Sequence, residues 1–115
     1  MENIGQATAV IVDKLTAAGI AACADMRDLN PPAVLVSAPV IDWDRLTGYT
    51  ATWQLYAVVP NAGRLAALDT LGTLIEQVRA VWPVEHGDPV DLPSLDTADP
   101  LPAYRLPLQQ RVCED

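Results

Sequence analysis

Three groups of residues have types that could do chemistry. In "VEHGD", His86 stands between Glu85 and Asp88, an imidazole base with carboxylates near enough in sequence to orient it, as general acid–base and triad chemistry requires. No nucleophile sits at a matching position, so the segment reads as a single histidine on an acidic surface. Cys23 and Cys113 are far apart and few, and one histidine with two remote cysteines makes no zinc set at a familiar spacing. "DWD" at positions 42–44 lacks the continuation of a calcium loop, and the glycines are isolated, with no phosphate-cradling run. The sequence therefore carries no expectation of a catalytic centre, a metal or a cofactor, and the chain is read as a non-enzyme.

The elements that position these residues are limited first by composition. With 115 residues, half of them apolar, the chain supports one domain over 1–115 and one core. No run approaches the roughly 18 apolar residues of a membrane span, and no secretory leader pattern opens the sequence, so the protein is expected to stay where it is made. Two well-separated cysteines fit reduced thiols better than a disulfide framework. Fifteen acidic against seven basic residues give a formal charge of −8. Such a surface repels phosphate backbones, and Lys14 with six scattered arginines makes no basic face.

Hydrophobic periodicity predicts a first helix over 3–18, with Ile4, Ile11, Leu15 and Ala18 on one stripe and Gly19 as its stop. Strands are predicted over 20–24, 33–38 and 49–59. The last alternates an apolar face (Tyr49, Ala51, Trp53, Leu55, Ala57, Val59) with a mostly polar one. Between 42 and 48, "DWDRLTG" has a turn composition. A second helix is expected from a cap at Asn61, with Leu65, Leu68, Leu71, Ile75, Val78 and Trp82 inward, ending at Pro83. Residues 84–102 hold five acids, four prolines and no lysine or arginine, which predicts an extended acidic excursion with at most a short edge strand. A final strand over 104–112 contains Pro107, which suggests an edge or a bulge. Pro31 and Pro32 are expected to hold the chain extended ahead of Val34, Leu35 and Val36.

The order α-β-β-β-α-β predicts an α+β two-layer sandwich, in which two amphipathic helices cover a four-stranded, mostly antiparallel or mixed sheet. Trp53 and Trp82 face the core. Trp43 lies between two aspartates, where its ring either serves a partner surface or folds back over the sheet edge.

The helix ending "AGI", then "DLNPPAVLV", then "ATWQLYAVVPNAG", an amphipathic helix and a closing "PAYRLPLQQRV" resemble the tail terminator proteins of long-tailed phages of actinobacteria. The resemblance covers nearly the whole chain in order. It implies a structural subunit that forms a hexameric ring, caps the tail tube protein, stops its polymerisation and meets the head-closure protein of the connector. It also implies DNA passing through the lumen without specific binding, no membrane, assembly in the host cytoplasm and a place in the virion at the tail–neck junction. An acidic lumen would let a polyanion slide, and ring closure needs two different patches per subunit. The candidate interface residues are Asp42, Trp43, Asp44, Arg45, Arg105 and Arg111. Two other readings fit the same residues: another phage neck component, such as a head-closure or minor tail protein, or a small acidic inhibitor that mimics DNA.

Overall fold

The computed structural model describes residues 4–43, 48–60, 63–92 and 101–113, the side chains at 26, 64 and 111–113 excepted. The elements are helix α1 (Ile4–Ala17), strand β1 (Ala22–Cys23), a 3-10 turn (Met26–Asp28), strands β2 (Ala33–Val36), β3 (Val40–Trp43) and β4 (Gly48–Val58), helix α2 (Arg64–Val81), and strands β5 (Asp88–Leu92) and β6 (Leu101–Cys113). They form an α+β fold with one mixed sheet of six strands, in the order β1-β2-β4-β6-β5, with β3 also paired to β4. Among the described residues only the β1–β2 pair is parallel.

The sheet therefore has six strands where four were expected. One addition, β3, occupies "VIDW", so the segment read as a turn over 42–48 begins inside a strand. The other, β5, is the short edge strand admitted within the acidic excursion, and it pairs with Leu101–Arg105 of β6. The first strand is shorter than expected, two residues instead of five, although Ile20 ahead of it is buried.

One face of the sheet carries both helices. The single core joins Ala7, Ile11 and Leu15 of α1 and Ala67, Leu71, Leu74 and Val78 of α2 to Val34, Val36, Trp53, Leu55, Leu106 and Leu108 of the sheet. The odd residues of β4 point into this core and the even ones form the open face, as their alternation dictates. Trp53 is fully buried, and its Nε1–H donates to Thr8 Oγ1 at 3.0 Å, tying α1 to the sheet's centre. Trp82 is buried as well, with Lys14 Nζ 5.8 Å from its ring centroid.

Local signals end the helices as read. Gly19 takes φ 84°, while its N–H donates to Thr16 O and the N–H of Ile20 to Leu15 O, the paired bonds of a Schellman cap. Pro83 forces Trp82 out of helical geometry, to φ −134° and ψ 147°. The start of α2 differs: its N-cap is Gly63, at φ 97° and without a side-chain capping bond, while Asn61 lies outside the described residues. The inward stripe is also rotated. Ala67 and Leu74 are buried where Leu65 and Leu68 were expected, and Leu65 is 79% exposed. A cleft of about 550 Å³ opens beside the helix's first turn, lined by Gly63, Ala67 and Leu68 together with Val90 and Tyr104. The Pro31–Pro32 peptide bond is cis, where an extended pair was expected.

A β-bulge separates β2 from β3. Val36 pairs with Leu55 and Val40 with Thr52, so three residues on one strand stand against two on β4. Ser37 repairs the ladder there: its N–H donates to Gln54 O at 3.0 Å, and its Oγ accepts the Gln54 N–H at 3.1 Å. The extra residue reverses the parity of the chain. Even residues Val34 and Val36 face the core in β2, whereas Ile41 and Trp43 share the core side with Ala51 and Tyr49 in β3.

Candidate functional site

The described part of the candidate interface is built around β3. Trp43 pairs with Tyr49 on the helix-bearing side of the sheet, yet 73% of its surface is open. Of the two alternatives for this ring, the fold-back over the edge is overturned, because a ring lying on the sheet would be mostly covered. Val40, on the other side of the same strand, is 61% exposed. This four-residue outer strand thus sets two open apolar side chains, Val40 and Trp43, beside one charge, Asp42.

Asp42 is exposed and pairs with Thr50, which pairs on its other side with Arg111. These three positions therefore form one row across the open face, Asp42 and Arg111 about 10 Å apart at the usual strand spacing. Asp44 and Arg45 lie outside the described residues. Arg105 belongs elsewhere. It is six residues before Arg111 on β6, about 20 Å along the strand. There its Nη2 donates to Asp88 Oδ2 at 3.3 Å, joining β5 to β6. Among the described residues, the interface candidates therefore fall at two places, Asp42, Trp43 and Arg111 at the β3 end and Arg105 at the β5–β6 pair.

Asp88 also accepts a hydrogen bond from His86 Nε2 at 3.0 Å, so His86, Asp88 and Arg105 form a chain on the surface. The Arg105 guanidinium, and secondarily the histidine, hold the Asp88 carboxyl below its ordinary range. Among the described residues, no serine, threonine or cysteine lines the shallow cleft in which His86 sits with Arg79 and Glu85. On the far side of the molecule, Asp25 accepts from the side chain and then from the backbone N–H of Arg27, and its carboxyl falls to about 2. Cys23 is a free thiol, its pKa raised chiefly by burial. Among the described residues, no three histidine, cysteine or acidic side chains gather as metal ligands, and no helix is long and apolar enough to cross a membrane.

Sequence reasoning missed Val40 and Ile41 as strand residues and Leu65 as an exposed one. The apolar pair directly after Pro39 was a usable signal for β3. Nothing in the periodicity of α2 favours the stripe through Ala67 and Leu74 over the one through Leu65 and Leu68.

No protein-family model matches the chain, and no curated protein matches it in sequence.

Proposed function

We propose that this protein is a structural subunit of a phage tail–neck junction, a tail terminator that closes into a ring on the tail tube and receives the head-closure protein. The observation that carries this reading is Trp43, three-quarters exposed on an outer strand, the kind of aromatic that anchors a protein interface. A ring subunit needs two unlike patches, and the β3 end and the α2–β5 cleft supply distinct surfaces on one small domain. The acidic balance of −8 suits a passage through which DNA moves without sticking.

The acidic-inhibitor reading expects acids concentrated on one face. Exposed Asp13, Asp28, Asp42, Asp69, Glu76 and Asp91 instead lie on α1, the 3-10 turn, β3, α2 and β5, a distribution that favours a generally repulsive surface. The reading is tested by light scattering of the purified protein over a range of concentrations, followed by particle images with tail tubes added. Rings that cap tube ends are expected; a strict monomer that ignores tubes overturns the reading.

A further inference from the structure

We infer that copies of this chain join edge to edge, the outer edge of β3 in one copy adding in parallel to the open edge of β6, residues 107–113, in the next. The inference rests on the ring reading and supplies its joint. It begins from which backbone groups are unspent. Val59 N–H donates to Pro102 O, and hydrogen-bonded pairs alternate along an antiparallel ladder. From this bond and the β4–β6 register, the even residues of β6 turn their N–H and C=O groups to β4 and the odd ones turn away. Gln54, opposite Pro107, agrees: its N–H and C=O bond Ser37 on the other side.

The odd positions of β6 up to Arg105 are met by β5, which ends its pairing there. Beyond it, Gln109, Arg111 and Cys113 present outward N–H and C=O groups to no strand among the described residues. Pro107 sits on this same edge, where its missing N–H costs no bond to β4. On the opposite side, Asp42 pairs toward Thr50, so Ile41 and Trp43 turn their backbone groups outward, again to no described strand. β1 covers the edge of β2 only, at Val34 and Leu35.

The molecule thus has two unlike open edges at one end of its sheet, where Trp43, Tyr49 and Val112 lie in register on three strands. Both edge strands run antiparallel to β4, so they are parallel to each other. Rotation about an axis roughly along the strands preserves that direction, which brings β3 of one copy beside β6 of the next as a parallel pair. The contact is heterologous and consumes both edges at once, as closure of a ring requires. A two-fold pairing of β6 with β6 would leave β3, with Val40 and Trp43 exposed, uncovered.

The test uses two proline variants whose lost N–H serves no bond among the described residues: Trp43→Pro blocks the β3 edge and Gln109→Pro the β6 edge. Each is expected to keep the wild-type circular dichroism and to lower association at least tenfold in sedimentation equilibrium. Mixed in equal amounts, they retain one competent edge each and should form a heterodimer that grows no further. Hydrogen exchange of the wild type supplies a readout that needs no variant: the amides of Ile41, Trp43, Gln109 and Arg111 should slow as concentration rises. The joint is overturned if the wild type associates while those amides exchange independently of concentration, or if either folded variant associates like the wild type. A defect in Gln109→Pro alone would assign the contact to paired β6 edges instead. A wild type that never associates, with or without tubes, overturns the ring reading itself.

Discussion

Replacing Trp43 with alanine separates a structural ring from an interface ring, and the structure sets the magnitudes. A tryptophan buries at most about 150–250 Å². Trp43 is 73% exposed, so roughly 40–70 Å² is covered in the isolated subunit, and at about 25 cal/mol/Å² its removal costs about 1–1.7 kcal/mol. For a domain of this size that lowers Tm by about 3–8 °C. Trp53, fully buried in the core, is the contrast: Trp53→Ala should cost about 3–5 kcal/mol. Association should respond in the opposite order. A central aromatic anchor is worth about 2–4 kcal/mol at an interface, so Trp43→Ala should weaken subunit association by about 30- to 1,000-fold. Melting is best followed at a concentration where the wild type is monomeric, because association itself raises Tm; sedimentation equilibrium then reads the affinity. A Tm loss as large as that of Trp53→Ala, or an unchanged association constant, would refute the reasoning.

The remaining predictions concern the subunit itself. Thr8→Val keeps the shape but orphans the buried Trp53 N–H, costing about 1–3 kcal/mol; a double-mutant cycle with Trp53→Phe should give coupling of about 1 kcal/mol, and zero coupling would remove this tie. Ser37→Ala takes the acceptor from the Gln54 N–H at the bulge and should destabilise by about 1 kcal/mol in urea titration, whereas Ser37→Thr should recover much of the loss. The Tyr49 hydroxyl is buried without a partner among the described residues, so Tyr49→Phe should raise Tm; a fall would mean that a bond is being made to it. Asp25 has a carboxyl lowered to about 2 from 3.8 by the Arg27 bonds, so its contribution to stability is complete above the unfolded value and is lost as pH falls toward 2. Carboxyl NMR should find its midpoint near 2, and Arg27→Gln should return it toward the ordinary range; a wild-type midpoint near 4 would contradict the ion pair.

Much of the fold was legible where a local rule and a tertiary need coincide. Gly19 ends α1 because a left-handed residue completes the cap, and the same stop delivers Ile20 into the core. The alternation over β4 names its core face correctly because a strand covered on one side must alternate. Leu65 and Leu68 were misplaced for the complementary reason. Helical spacing allows two neighbouring stripes here, and the one that packs runs through Ala67, Leu71, Leu74 and Val78, in which the small Ala67 stands out less in sequence than Leu65 and Leu68.

The same distinction governs the candidate site. Read as a sequence, "SAPVIDW" interrupts an apolar run with proline and ends in a charged turn, and alternation continued from Val34 and Val36 would put Val40 and Asp42 on the core side. The bulge inserts one residue, and Ser37 Oγ takes the place of a carbonyl in the ladder, so parity reverses and Asp42 goes to the open face. That leaves Ile41 against the core, while Trp43, on the same side but on the outermost strand, keeps its ring in solvent. A one-residue insertion is invisible to periodicity, since it alters phase and not composition. Its consequence is an edge strand held to the sheet by Ile41 and by the Asp42 and Val40 pairings, with an aromatic and backbone groups that meet no described strand facing outward. An exposed aromatic of this kind is found in sequence by asking where a bulge would break the phase, before asking which residues are apolar.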